Sequence, residues 1–353
     1  MKRAVADKIA SVTINCGIDR ELRLTDEFPC QEGDVVAVRV LSRKTTYNQL
    51  ELTSGRFSTL KVGDIIVGAL GHRRALSGYA GHVPEKLSVG DTINILNLGG
   101  VLGICDSMNP DVGAPFDCEV LGQVLHFPGL ADRRGVPANI NQGAFPLLEN
   151  TNLTGVPIVA MVGTCMDSGK TLACSALIQE LTHRRLRVMA AKATGVSLRR
   201  DILMMEDAGA QKTLIFTDFG IVTTTDANGP VATRNLLGVL VDEKPDVIVL
   251  ELGDGLLGTY GVQTILADPQ IVSSLSAVIL AASDPVGAWG GVQILQNTYG
   301  IQPTIITGPA TDNIAGTELI LEKTGIPAAN ARTSPDKLTE LIMDQIGIKG
   351  EGS

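Results

Sequence analysis

Val156 to Leu172 reads VPIVAMVGTCMDSGKTL, and the organisation of the second half of the chain follows from it. Pro157 opens a short apolar run, Ile158 to Val162, with no polar residue to mark an exposed face, so it reads as a strand buried on both sides. The run breaks into Gly163-Thr164-Cys165-Met166-Asp167-Ser168-Gly169-Lys170-Thr171 before a helical pattern resumes. A strand, a glycine-flanked loop and a helix N-terminus in that order are the setting of a phosphate-binding loop. Loop N–H groups and the positive end of the helix dipole then converge on a polyphosphate. The residues expected to hold it are Gly163, Thr164, Asp167, Ser168, Gly169, Lys170, Thr171 and Leu172. Lys170 supplies a point charge, and the Thr171 hydroxyl is placed to ligate Mg²⁺. Five residues separate Gly163 from Gly169, one more than the usual motif has.

Outward from this stretch, short apolar strands alternate with helical patterns. Strands are expected at Ile158 to Val162, Arg187 to Ala191, Thr213 to Phe216, Val247 to Leu250, Ala277 to Ala281 and Thr304 to Thr307. Helices are expected at Lys170 to Arg184, Leu198 to Ala208, Gly229 to Glu243, Val262 to Ser273, Trp289 to Tyr299 and Ile314 to Thr324, with a last amphipathic helix after Asp336 and a disordered Gly-Glu-Gly-Ser end. The fold class is α/β, a mainly parallel sheet covered on both faces, with ligands outside the carboxyl ends of the strands.

Two further strand ends carry chemistry. Lys192-Ala193-Thr194-Gly195 follows the second strand, where a lysine reaches a γ-phosphate or an anionic substrate and Thr194 and Gly195 lie beside it. Glu251 closes the apolar strand before Leu252-Gly253-Asp254-Gly255, a Walker-B placement for a carboxylate that holds Mg²⁺. Asp254 competes for that task, whereas Asp246 at the opposite end reads as a turn residue. Asp201 and Asp207 on the next helix both compete for a further metal position, of which one is needed. Thr307 to Asn313 follows a strand where a purine is read; it lacks an N-K-x-D guanine motif, which favours adenine, and Asn313 is the candidate contact. Thr217 to Thr225 reads as a switch or a polar loop, and Trp289 as a packing residue or part of a substrate or subunit surface.

The first 125 residues have a different texture. Gly-Asp recurs at Gly33-Asp34, Gly63-Asp64 and Gly90-Asp91, each time before a β-branched run, a turn-then-strand signature of a small β-barrel or sandwich domain over 1–125. Arg73 and Arg74, in a glycine-rich loop with His72 and His82, suit a carboxylate or phosphate, or a solvated hairpin tip. Residues 126–155, rich in Pro, Gly and Asn, read as an interdomain linker in which Arg133 and Arg134 are cleft or linker charges, leaving 156–353 as the phosphate-loop domain. A net charge of −9 excludes a nucleic-acid or anionic-membrane footprint and leaves a small anionic molecule as the expected partner. No stretch is apolar enough to span a bilayer or act as a signal peptide, and six scattered cysteines read as reduced thiols, so a soluble cytoplasmic protein is expected, as a homodimer.

Gly163-Thr164 with Gly169-Lys170-Thr171, Lys192 two residues before Thr194-Gly195, and Glu251-x-Gly253-x-Gly255-Leu256 together resemble the dethiobiotin synthetase group of P-loop proteins. That group includes the glutamine-amide-transferring cobyrinate synthetases and lies in the larger class that holds the MinD-like ATPases. The resemblance covers roughly Pro157 to Arg332. It implies an ATP- and Mg²⁺-dependent enzyme in which Lys170 and Lys192 neutralise transferring phosphate, Thr171 and Glu251 bind metal, and Asp201 or Asp207 is the third ligand. Thr164 stands where the MinD-like proteins carry their signature lysine, Cys165 replaces the group's aspartate, and Ala193 replaces its proline. The architecture is also similar to an uncharacterised bacterial and archaeal family with this P-loop domain behind a different N-terminal domain. The expected reaction is phosphorylation of a small carboxylate or carbamate for ligation or ring closure. The alternative is a nucleotide-switched protein that regulates a partner or the delivery of a cofactor.

Overall fold

The three Gly-Asp turns are one structure repeated. Gly33, Gly63 and Gly90 have φ of 88°, 92° and 94°, the positive value a type II turn puts at its third residue. In each turn the aspartate carboxylate accepts the N–H of the residue three positions earlier: Gln31 at 2.9 Å, Lys61 at 2.7 Å and Ser88 at 2.8 Å. Each turn launches a strand, at Val35–Val40, Ile65–Leu70 and Thr92–Ile95.

The computed structural model describes residues 1–129 and 135–348, so Arg133, Arg134 and the final Gly350 to Ser353 lie outside the described residues. Five of the early strands close on themselves. Phe116–His126 pairs with Val35–Val40, which pairs with Ile65–Leu70. Ile65–Leu70 runs parallel to Val101–Met108, which pairs with Thr92–Ile95, and Thr92–Ile95 returns to Phe116–His126. Closure makes this a barrel rather than a sandwich and gives each of the five a partner on both sides. Its core draws on Val38, Ile66, Leu70, Ile93, Leu102 and Val120.

Two compact units result, but their boundary differs from the expected one. The barrel unit comprises Met1–Pro146 together with Val196–Arg200 and Thr217–Thr223; the second unit comprises Leu147–Gly195, Asp201–Phe216 and Thr224–Ser353. Much of the stretch read as a linker is barrel structure, because Ala138 and Ile140 are fully buried in its core between the prolines and asparagines. The Thr217 to Thr225 stretch is likewise no solvated polar loop. Thr217, Phe219, Val222, Thr223 and Thr224 are all buried, and Val222 joins the barrel core. Asn97 Nδ2 donates to the Ser197 carbonyl at 2.8 Å, which fixes the other returned segment within the barrel unit.

In the second unit the sheet strands are β1 (Ile158–Gly163), β2 (Val188–Lys192), β3 (Lys212–Ile215), β4 (Val247–Glu251), β5 (Leu275–Ala281) and β6 (Ile305–Thr307). They lie in the order β3-β2-β4-β1-β5-β6, every pair parallel. Their residues are buried on both faces because α1 (Lys170–His183), α2 (Arg200–Asp207), α3 (Gly229–Asp242), α4 (Val262–Leu266), α5 (Pro269–Ser274), α6 (Pro285–Tyr299), α7 (Ile314–Thr324) and α8 (Pro335–Ile346) cross between and around them. One face packs Val159, Met161, Val249 and Ile279 against Leu177 and Ile178 of α1 and Leu338 and Ile342 of α8.

Two helix boundaries differ from the sequence reading for local reasons. The helix expected over Val262 to Ser273 is two, because Pro269 cannot continue α4 and Asp268 caps α5 by accepting from Gln270 and Ile271 at 3.0 and 3.1 Å. Helix α6 begins at Pro285 rather than Trp289, since Asp284 Oδ1 caps Gly287 N at 2.9 Å and Pro285 occupies the first helical position. No described helix is long and apolar enough to cross a membrane.

Candidate functional site

Parallel strands bring every loop of interest to the carboxyl edge of one sheet. β1 lies between β4 and β5, so the loop after Gly163 is flanked by the loops after Glu251 and Ala281. Backbone bonds tie them: Leu256 N donates to Gly163 O at 2.8 Å, and Thr164 N to Ala281 O at 2.9 Å. Asp167 takes φ of 58° on the loop, a conformation that aspartate enters more readily than most non-glycine residues. Gly169 is then the N-cap of α1, and Lys170 and Thr171 are its first residues.

Lys170 is 6 % exposed, with its ammonium turned into the loop. Nζ donates to the Cys165 carbonyl at 2.7 Å, to Ser168 Oγ at 3.3 Å and to the Asp254 carbonyl at 2.5 Å. Burial pushes its pKa below the usual lysine value and the Lys192 charge adds to that, while Glu251 and Asp254 pull the other way. Thr171 Oγ1 donates to Glu251 Oε1 at 3.1 Å. The other Glu251 oxygen, Oε2, is buried with no hydrogen-bond partner although the residue is 1 % exposed. A buried anionic oxygen without a donor is costly, and it is the acceptor a cation or a metal-bound water would satisfy.

Lys192, at the end of β2, donates to Asp201 Oδ2 and lies 3.7 Å from Glu251 Oε1. The structure thereby separates the two candidate aspartates. Asp201 is buried in the first turn of α2 against Lys192, whereas Asp207 is exposed at the far end of that helix. Asp246 accepts from Arg187 N at 2.6 Å at the opposite edge of the sheet, as a turn residue would. Lys170, Lys192, Thr171, Glu251 and Asp201 therefore share one edge of one sheet. They fit a Mg²⁺–polyphosphate group on the strength of the donorless Glu251 oxygen and the hydroxyl beside it. Among the described residues no group of three or more His, Cys, Asp or Glu comes together for a metal, here or elsewhere, so the acidic ligands at this edge are Glu251 and Asp201 alone.

Other expected contacts have different tasks. Arg73 is 7 % exposed within the barrel unit, where its Nη1 donates to the Leu96 carbonyl and to Tyr47 Oη at 2.9 Å. Its guanidinium is a barrel brace and not a substrate clamp, which corrects the reading of Arg73; Arg74 beside it is exposed. Thr194 is fully buried and its hydroxyl donates to the Gly253 carbonyl, so it ties the loops after β2 and β4 instead of facing a ligand. Gly195 N donates to Thr224 Oγ1 at 2.8 Å. Asn313 caps α7 by accepting from Gly316 N at 3.0 Å, so its side-chain oxygen is committed to the helix. Thr164 and Leu172 are accessible at the loop and on the first turn of α1.

Two participants, Ser283 and Gly308, were not singled out from sequence, and Asp254 and Cys165 take part through their backbone carbonyls. The Asp254 and Cys165 carbonyls hold Lys170, and Ser283 Oγ lies 3.1 Å from Cys165 Sγ. Gly308, after β6, packs its backbone against Ser168; a side chain there would sit 2.5 Å from Ser168 O. Ser283 and Gly308 follow a strand within two residues, and that position was the available signal.

No family model matches the chain, and no curated protein matches it. Among solved structures it is similar to the signal recognition particle receptor FtsY from Elizabethkingia anophelis, with 15 % identity over 55 % of this chain and 66 % of that one, at a TM-score of 0.40. It is similar to a DUF1611 family protein from Anabaena variabilis, with 15 % identity over 56 % of this chain and 62 % of that one, at 0.39. It is also similar to the signal recognition particle 54 kDa protein from Aeropyrum pernix in complex with GDP, with 17 % identity over 55 % of this chain and 50 % of that one, at 0.38. The chain thus covers less than two thirds of each of these proteins.

Proposed function

We propose that the chain binds ATP with Mg²⁺ and transfers the γ-phosphoryl group to a small carboxylate or carbamate, giving an acyl phosphate for ligation or ring closure. The observation that carries this reading is Glu251: a carboxylate at a strand tip, one oxygen on the Thr171 hydroxyl at 3.1 Å and the other buried without a donor. The loop N–H groups and the α1 dipole would orient the phosphates, Lys170 would neutralise charge on the transferring group, and Lys192 would face the same group from the neighbouring strand end. Thr171, Glu251 and Asp201 would hold Mg²⁺, which when bound supplies charge neutralisation between the β- and γ-phosphates. Phosphoryl transfer asks mainly for positioning and charge, and these side chains offer both.

The test is ADP release from ATP and Mg²⁺ across a panel of small carboxylic acids. At least one acid is expected to raise release about tenfold or more over hydrolysis alone; a flat panel would remove the transferase reading. A second reading, the nucleotide-switched regulator, is served equally by the phosphate loop. Its specific support is an exposed apolar pair at the start of α6, Val286 at 78 % and Trp289 at 50 % exposure. Dimerisation that depends on nucleotide, with no stimulation by any acid, would select it.

A further inference from the structure

We propose that Lys192 is a tethered cation that holds the divalent-ion position closed until a polyphosphate arrives. The inference rests on the nucleotide reading above and adds an order of events to it. Its basis is the geometry around one ammonium. Glu251 and Asp201 are buried carboxylates, and Lys192 is the ammonium between them, donating to Asp201 Oδ2 and lying 3.7 Å from Glu251 Oε1. Lys170 feels the Glu251 charge through space, but its ammonium is held by the Cys165 and Asp254 carbonyls and Ser168 Oγ and not by either carboxylate. Buried carboxylates left without a counter-charge are strongly disfavoured, so the ammonium stabilises the folded edge. The Glu251 carboxylate it approaches is the one whose Oε1 takes the Thr171 hydroxyl and whose Oε2 has no donor, the group proposed above to hold the divalent ion. Like charges a few ångströms apart in a poorly solvated pocket repel strongly, so Lys192 excludes the free ion. An incoming polyphosphate offers the ammonium a new anionic partner. Lys192 then releases Asp201 and Glu251, and the metal enters with the nucleotide.

The probe is free Mn²⁺, titrated without nucleotide and followed by electron paramagnetic resonance and by thermal shift. The intact protein is expected to bind Mn²⁺ alone weakly. Lys192→Met is expected to bind it at least about tenfold more tightly and to gain thermal stability on its addition. Lys192→Gln provides a second neutral variant should the first not fold. Lys192→Arg, which keeps the charge, is expected to behave as the intact protein, and adding Glu251→Gln to Lys192→Met is expected to erase the gained binding. The inference is overturned if the intact protein binds Mn²⁺ alone as tightly as a folded neutral variant, or if Lys192→Arg gains binding as Lys192→Met does. Should neither neutral variant fold, the intact protein decides: Mn²⁺ binding that ATP does not strengthen overturns the inference, and binding that ATP strengthens supports it. ATP binding by intact protein with no Mn²⁺ gain in the variants sinks this inference alone; a Mn²⁺ gain without any nucleotide binding sinks the nucleotide reading instead.

Discussion

Lys170→Ala is expected to lower nucleotide turnover by about 10²–10³-fold and to weaken nucleotide binding, with only a modest change in melting temperature. The large effect follows from the position of the ammonium, buried in the loop and already dehydrated, so its attraction to phosphate is little screened. The modest change in stability follows because burial works against the charged form: the residue's pKa is pushed below its ordinary 10.5, chiefly by desolvation. That shift predicts two pH trends of opposite sign. Binding uses the ammonium, so affinity is full below the lowered pKa and falls as pH rises through it, before 10.5 is reached. In the same window the unfolded chain binds more protons at this residue than the folded one, so this residue's contribution to folding stability rises with pH. Calorimetric affinity and urea midpoints measured from neutral to alkaline pH check both trends. Parallel behaviour of the two quantities would contradict the assignment, and both trends should vanish in Lys170→Ala.

The second large effect is expected at Gly308→Ala, a change of one methyl group. Gly308 has φ of 94°, where a side chain is strained, and a built Cβ lies 2.5 Å from Ser168 O, 2.7 Å from Ala282 O and 2.9 Å from Ala282 N. All three neighbours are backbone, so no side chain can swing aside to make room. A cost of at least about 2 kcal/mol is expected, from backbone strain and overpacking together. Because Ser168 belongs to the phosphate loop, nucleotide affinity should fall with stability; urea denaturation and nucleotide titration of the variant measure the two. An unchanged midpoint together with unchanged affinity would show that the loop after β6 does not brace the phosphate loop.

These expectations rest on features that were legible in the sequence to different degrees. The six parallel strands were readable because burial on both faces leaves each a short uninterrupted apolar run, as in Ile158 to Val162 or Val247 to Leu250. The Gly-Asp turns were readable because a positive φ demands glycine and the aspartate answers a local backbone N–H. Barrel closure was not, since it rests on Thr92–Ile95 pairing with Phe116–His126, a long-range register that no local pattern encodes. The return of Thr217–Thr223 to the barrel unit was hidden for a related reason. Its threonines look solvent-facing in sequence, yet Thr223 Oγ1 donates to the His72 carbonyl at 2.6 Å and Val222 is in the core.

The candidate site divides in the same way. Lys170, Thr171, Lys192 and Glu251 could be singled out because Lys192 and Glu251 end strands, and Lys170 and Thr171 open the helix after one, at the edge where parallel sheets place ligands. That Asp201 meets Lys192 while Asp207 lies in solvent was not legible, since it depends on where α2 begins and how it packs. Arg73 and Asn313 misled because side-chain chemistry suited to a ligand also suits a carbonyl or a helix cap, and here Leu96 O and Gly316 N claim them. The start of α6 was missed because Gly287, Gly290 and Gly291 weaken its helical pattern, although Asp284-Pro285 is a strong start signal.

Isothermal titration calorimetry of the intact protein with ATP and with GTP, in the presence of Mg²⁺, decides whether this sheet edge holds a nucleotide. Saturable heat at one nucleotide per chain is expected with ATP, at markedly weaker affinity in Lys170→Ala. No heat with either nucleotide, or heat that survives Lys170→Ala unchanged, would contradict the nucleotide reading.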